Sequence, residues 1–171
     1  LDALSGGRII LGIGAAWYDT EHVAYGWDFP PVKERFGRLE EAVAICRGMF
    51  DNETFTFSGT YYNVTEARVV PRPQRRIPLM IGGSGERKTL KMVAQFADLC
   101  NIGGNAAFVA RKLAILDEHC ETVGRDPSEV KRTAMTTLFV SDNDTERDAL
   151  LGMLNYDNDS DVRDRMIIAT A

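Results

Sequence analysis

Residues Ile77-Pro78-Leu79-Met80-Ile81-Gly82-Gly83-Ser84-Gly85-Glu86-Arg87-Lys88-Thr89-Leu90 run a short apolar stretch into a glycine cluster that opens a helix. Residues of these types at this spacing serve anion chemistry. Glycine lets a ligand approach the backbone closely, and the free N–H groups and positive dipole end of a following helix attract phosphate. Gly82, Gly83 and Gly85 do not form G-x-G-x-x-G, and no Gly-Lys-Ser/Thr closes the run, so two familiar nucleotide motifs are excluded. A plain strand-to-helix turn has the same composition. Ser84 by itself reads as a helix N-cap serving the backbone two or three residues on.

Other chemistry-bearing residues are sparse. His22 and His119 lack a Cys or His partner at ligand spacing, and no metal site is expected. Glu40 and Glu41 are adjacent and so point about 100° apart on a helix, which makes them solvated surface rather than an acid–base pair. Arg35 and Arg38 share a helix face at i,i+3. Asn101 and Gly103 end a short apolar run and either turn the chain or face a pocket mouth. Cys46, Cys100 and Cys120 sit in apolar neighbourhoods and are expected as buried thiols of a reducing compartment, without a disulfide.

Bulk properties narrow the partners. Against 20 basic side chains stand 25 acidic ones, with no dense basic stripe, which argues against nucleic acid or a membrane surface. The small basic run Pro71–Arg76 reads as a solvated linker. No apolar stretch reaches membrane-spanning length and no signal peptide opens the chain, so a cytoplasmic protein is expected.

The elements that must position these residues follow from periodicity. Arg8–Ile13 is an apolar run expected as a strand covered on both faces. A loop holding Trp17, Glu21, Tyr25 and Trp27 then leads to a helix over about Lys33–Phe50, with Phe36, Leu39, Val43, Cys46 and Phe50 as its stripe. Thr54–Val64 reads as a surface hairpin turning at Ser58-Gly59. Leu79–Ile81 is a second strand, followed by a helix burying Leu90, Val93, Ala94 and Ala97. Asp98–Gly104 is a third strand. The next helix turns Phe108, Leu113, Leu116 and Cys120 inward and stops at Gly124. A short turn at Asp126-Pro127-Ser128, a fourth strand over Thr133–Ser141 and a helix from Asp144 complete about four βα units. This alternation predicts an α/β fold with a parallel sheet, open and doubly wound or closed as a barrel, in a single domain over residues 1–171.

Taken together, Leu1–Arg8, Leu11-Gly12-Ile13-Gly14-Ala15-Ala16-Trp17, Glu21, Tyr25-Gly26, Phe29-Pro30, Arg35, Arg38–Glu41, Ile81–Glu86 and Asn101 resemble the luciferase-like monooxygenase family, most nearly its deazaflavin (coenzyme F420) branch. The match runs through Gly104 and more loosely beyond. The resemblance implies a partial (β/α)8 TIM barrel holding strands four to seven, with the hairpin as an excursion. Because a complete barrel needs about 250 residues, the chain reads as a fragment lacking roughly 80 or more. It further implies coenzyme F420 as cofactor, with FMN the alternative, at Gly82, Gly83, Ser84 and Gly85. Ser84 would donate its hydroxyl, the N–H groups of Gly83 to Glu86 would lie near the phosphate, and Arg87 would supply charge. Gly14, Ala15, Ala16 and Trp17 would flank the phosphate or the ring edge, with Trp17 alternatively a packed aromatic, and a cation at Arg35 or Arg38 would reach the cofactor.

The implied activity is that of an oxidoreductase, transferring hydride or inserting oxygen into a small organic substrate, in a chain that pairs as a homodimer. The family's proton-handling residue, commonly a His, lies on strands absent here, so neither His22 nor His119 is promoted and no catalytic residue is assigned. Two other readings stand beside this one: a non-catalytic partner subunit of a luciferase-like heterodimer, and a barrel enzyme binding sugar phosphates.

Overall fold

Glycine-bounded apolar runs become parallel strands, and amphipathic stretches between them become the helices that cover one face. The computed structural model describes residues 1–170. In chain order they form β1 (Leu11–Ile13), α1 (Asp19–Tyr25), α2 (Val32–Asp51), β2 (Phe55–Ser58), β3 (Asn63–Ala67), β4 (Leu79–Gly82), α3 (Thr89–Phe96), β5 (Leu99–Gly103), α4 (Ala106–Thr122), a 3₁₀ turn (Pro127–Glu129), β6 (Lys131–Met135), β7 (Thr137–Ser141), α5 (Asp144–Met153), α6 (Ser160–Arg165) and β8 (Met166–Thr170).

The main sheet has the order β1-β4-β5-β6, all parallel, with Ile13 opposite Ile81, Gly82 opposite Asn101 and Gly103 opposite Met135. Burial shows which face is covered. Leu79 and Ile81 are fully buried, whereas Met80 and Gly82 between them are only partly so. Under the helices lies one core of Val43, Leu79, Ile81, Leu90, Val93, Ala94, Ala97, Cys100, Ile102, Leu116 and Cys120. The opposite face carries Gly12, Met80, Gly82, Asn101 and Met135, and Met135 is 67% exposed. A parallel sheet covered on one face alone is a barrel wall and not a doubly wound sheet, which has helices on both.

One carboxylate joins the layers. Asp98, just before β5, accepts from Leu79 N at 2.8 Å and from Arg47 of α2 at 2.5 Å, and Arg76 lies 3.2 Å away. Its own N–H donates to Leu79 O, and its carbonyl accepts from Lys131 N. Arg125 plays a similar part at the end of α3, where one guanidinium nitrogen donates to the carbonyls of Val93, Ala94 and Ala97. Those carbonyls are the ones that a helix end leaves without partners.

Helix stripes follow the sequence reading, and Gly124 ends α4 at a φ of +71°, as expected of a C-terminal stop. Several expectations need correction. The first strand is only Leu11–Ile13, covered on one face, and Ile10 is 47% exposed. Residues 19–25, expected as loop, form α1; its Val23 and Tyr25 are exposed, so no buried stripe announces it. The fourth strand is two strands. β6 pairs with β5 as far as Met135, the chain bends at Thr136, and β7 pairs in parallel with β8, a strand the pattern did not disclose.

The expected hairpin is present, with β2 and β3 antiparallel and the second strand reaching Ala67. What holds it contradicts the reading of Glu41 as solvated surface. The Glu41 carboxylate, on α2, accepts from the N–H groups of Thr60 at 2.7 Å, Tyr61 at 2.9 Å and Tyr62 at 2.9 Å. A Cβ at Gly37 would collide with Tyr61, and one at Gly48 with Phe55, so both glycines let the hairpin lie close on α2. Glu40, its neighbour, is exposed.

Leu90→Ala, emptying a fully buried site, is expected to cost about 3 kcal/mol in urea unfolding of the full-length protein. Desolvation pushes the Glu41 carboxyl up, but the N–H groups of Tyr61, Thr60 and Tyr62 outweigh it and hold the group below its ordinary value. A depressed folded-state pKa contributes stability above the unfolded value, lost as pH falls through the folded one. Amide protection across residues 55–67 should therefore fall on acidification below the ordinary glutamate range, and Glu41→Gln should remove that acid step; hydrogen exchange against pH measures both.

Candidate functional site

The C-terminal ends of the parallel strands bring together most of the residues singled out in the sequence. Gly14, just past β1, and Gly82, at the end of β4, are neighbours: a Cβ on Gly14 would lie 3.5 Å from the Gly82 carbonyl oxygen. Next along the sheet come Asn101 and Gly103, then Thr133 and Met135. Asn101 Nδ2 donates to Thr133 Oγ1 at 2.9 Å, and that hydroxyl donates to Cys100 O at 2.7 Å, so the Asn101 amide is fixed at the edge of the hollow.

The glycines at the end of β4 serve different ends. A Cβ on Gly82 would meet nothing within 4 Å, so the open space in front of this backbone is kept free. Gly83 has a φ of +126°, which side chains rarely adopt, and its N–H donates to Asn101 O at 2.9 Å. Gly85 lies over the buried Thr89, whose hydroxyl would be 2.9 Å from an added Cβ. The expectation for the Gly83 N–H is thereby corrected, since the sheet uses it. The N–H groups of Ser84, Gly85, Glu86, Arg87 and Lys88, by contrast, donate to no acceptor among the described residues.

Ser84 is no helix N-cap. α3 begins at Thr89 with Lys88 as cap residue, and the Ser84 hydroxyl makes no hydrogen bond among the described residues. Glu86 turns to α4, with Lys112 Nζ 2.6 Å from its carboxylate and His119 Nε2 2.7 Å from its carbonyl oxygen. Desolvation opposes, but the Lys112 hydrogen bond is the largest influence and lowers the Glu86 carboxyl below its ordinary value. The Arg87 side chain is exposed and makes no ion pair among the described residues.

On the β1 side, Ala16 has a φ of +59°, a conformation that costs a residue with a Cβ on the order of 1–2 kcal/mol. Arg35 fixes this loop from α2. Its Nε donates to Ala15 O at 3.2 Å, a terminal nitrogen donates to Pro30 O at 2.8 Å, and its guanidinium carbon lies 3.8 Å from the Phe29 ring centroid. Arg38 is bound to Glu34 at 2.6 Å. Trp17 is 85% exposed, with its ring tilted 38° to that of Tyr18 at 5.3 Å, so it is not a packed aromatic. His22 donates from Nδ1 to Tyr18 O at 3.0 Å, and its ring meets Phe29 edge to face. Sequence reasoning missed Thr89, Thr133 and Lys112; the i,i+7 spacing of Lys112 and His119 on one helix was the available signal.

Two cavities frame the sheet. The larger, 610 Å³, lies at the far end near Leu1, Ile9, Phe50, Arg75 and Ile77, where Arg75 is already engaged by Asp2 and by Ile9 O. The smaller, 230 Å³, adjoins Gly14, Ala15, His22, Arg35 and Tyr62. Among the described residues no group of His, Cys, Asp or Glu is placed to hold a metal ion, and no helix is long and apolar enough to cross a membrane.

A barrel wall with a glycine loop and unengaged N–H groups at the strands' C-terminal ends defines the class of α/β barrel that holds its ligands at this face. The chain belongs to the luciferase-like monooxygenase family, whose model matches residues 1–167. It is 36% identical over 136 residues to an F420-dependent glucose-6-phosphate dehydrogenase of Kineococcus radiotolerans, covering 78% of this chain and 40% of that one. A like-named protein of Nakamurella multipartita is 33% identical over 150 residues, covering 86% and 43%. The chain thus spans about two fifths of the length of these relatives. Among solved structures, an F420-dependent secondary alcohol dehydrogenase in complex with an F420-acetone adduct superposes with a TM-score of 0.77 at 19% identity, over 98% of this chain and 58% of that one. The EDTA monooxygenase of Chelativorans sp. BNC1 gives 0.69 at 17%, over 91% and 42%. The fold is therefore part of a (β/α)8 barrel.

Gly82→Ala is expected to leave the unfolding midpoint unchanged, because its Cβ enters open space. Gly83→Ala should destabilise by about 1–2 kcal/mol through its positive φ. Thermal unfolding of both variants checks the contrast.

Proposed function

We propose that these residues form the cofactor-holding wall of a flavin- or deazaflavin-dependent oxidoreductase, with coenzyme F420 as the cofactor and FMN as the alternative. The observation that carries this is the row of unengaged N–H groups over Ser84–Lys88, directly after the open backbone of Gly82. Such a row suits the phosphate of a cofactor. F420 is favoured because relatives 29–36% identical bear F420-dependent names.

When bound, the cofactor would supply hydride transfer, or oxygen activation if it is FMN. The chain's own residues bind and orient. The N–H groups of Ser84 to Lys88 and the Ser84 hydroxyl hold the phosphate, with Arg87 adding charge. Gly82 and Gly14 leave room for the cofactor to approach the backbone, while Ala15 and Trp17 border it, and Asn101 stands fixed by Thr133 at the edge of the same space. The substrate is a small organic molecule reduced or oxygenated at this face.

Residues 1–171 are read as one segment of a complete barrel, with β4 and β5 among its middle strands. The 67%, 56% and 59% exposure of Met135, Leu138 and Val140 supports this, as such side chains are normally covered. A cytoplasmic setting and a homodimer are part of the same reading.

Fluorescence titration of the full-length protein with coenzyme F420 and with FMN tests it. One cofactor should bind, and Gly82→Val should weaken that binding by about tenfold or more without lowering the unfolding midpoint. Binding of neither, with retained pairing to a second barrel chain, would instead support the non-catalytic subunit. Binding of inorganic phosphate alone would support the sugar-phosphate enzyme.

A further inference from the structure

Glu86 poses a difficulty for any anion site built on this loop, because a carboxylate stands in the middle of the N–H row. The structure turns it away. Lys112 reaches it from α4 at 2.6 Å, and the Lys112 side chain is only 15% exposed, its ammonium 4.8 Å from the Phe108 ring centroid. The cation is therefore held in place on both sides, by a carboxylate and by a ring face. One helix turn pair further on, His119 lies 2.7 Å from the Glu86 carbonyl oxygen and must donate to it through Nε2. The carbonyl of Glu86 and the N–H of Arg87 belong to one planar trans peptide, so they point in opposite directions. Holding the carbonyl against α4 directs the Arg87 N–H away from α4.

We propose that Lys112 and His119 are positioning residues of the anion loop: Lys112 withdraws and neutralises the Glu86 carboxylate, and His119 sets the Glu86–Arg87 peptide so that its N–H is offered to the ligand. The proposal deepens the reading of Ser84–Lys88 as a phosphate site and rests on it. It leaves the Glu86 N–H to the ligand, as expected, and assigns the Glu86 side chain to the loop's support.

A double-mutant cycle in the full-length protein separates charge from packing. Coenzyme F420 and FMN affinities are measured at low and high salt for the parent, Lys112→Met, Glu86→Gln and the double variant. Lys112→Met should weaken binding of the preferred cofactor by about tenfold at low salt, and less at high salt, by exposing the anion to an unpaired carboxylate. In the Glu86→Gln background, where no carboxylate is left to withdraw, adding Lys112→Met should change the affinity by no more than about twofold. A loss in that background as large as that from Lys112→Met alone, or an unaffected Lys112→Met, overturns the charge role.

For His119, amide exchange at residues 84–88 is followed without cofactor. His119→Leu should speed exchange there and His119→Gln, which keeps a donor, should restore it; equal exchange in His119→Leu and the parent overturns the clamp. Should the parent bind neither cofactor, the phosphate reading and the charge role that rests on it both fall, while the exchange experiment still decides whether α4 holds the loop.

Discussion

The carboxylate of Asp98 fixes where the strands begin. Its side chain takes the N–H of Leu79 and the guanidinium of Arg47, while its backbone bonds Leu79 on one side and Lys131 on the other. β4, β5, β6 and α2 thus share one anchor at the N-terminal end of the sheet. A half-buried carboxylate is tolerable only when charge and hydrogen bonds surround it, as here. With the register so fixed, Gly82, Asn101 and Thr133 fall side by side across the sheet. The geometry of the glycine loop is therefore set by a group at the opposite end of the sheet.

Between those ends, the two faces obey opposite demands. The outer face is filled by helices, with Leu79, Ile81, Cys100 and Ile102 buried in one core with residues of α3 and α4. The inner face at the strand ends is kept empty by residues without side chains. Gly82 has open space before it, and Gly14 sits across from the Gly82 carbonyl. Support for the loops comes from outside the sheet, through Arg35 on the Ala15 side and α4 on the Glu86 side. Rigid elements thus stand behind a backbone that is open in front at Gly82.

What was legible in the sequence is what depends on local pattern. The stripes Leu39-Val43 and Leu90-Val93-Ala97, the hairpin, the stop at Gly124 and the glycine loop all carry periodicity or turn chemistry. Hidden were features set by tertiary partners. Nothing local marks Thr136 as the point where a strand leaves β5 for β8, because both halves have the same β-forming residues. α1 buries no stripe, so its period carries no signal. Adjacent glutamates look alike until the fold brings three hairpin N–H groups to Glu41 and none to Glu40. At the site, the glycines were visible, but that the sheet consumes the Gly83 N–H was not.

The hairpin β2–β3 lies on α2, tied down by a single carboxylate and by the two glycines that give it clearance. It forms a sheet of its own, paired with no strand of the barrel wall. Such an ornament can lengthen, shorten or change sequence over evolutionary time without disturbing the register of the parallel strands, provided the acid on the helix and the small residues beside it stay. Within a family of this architecture, inherited variety can accumulate in the hairpin while the strand ends behind the glycine loop stay constant.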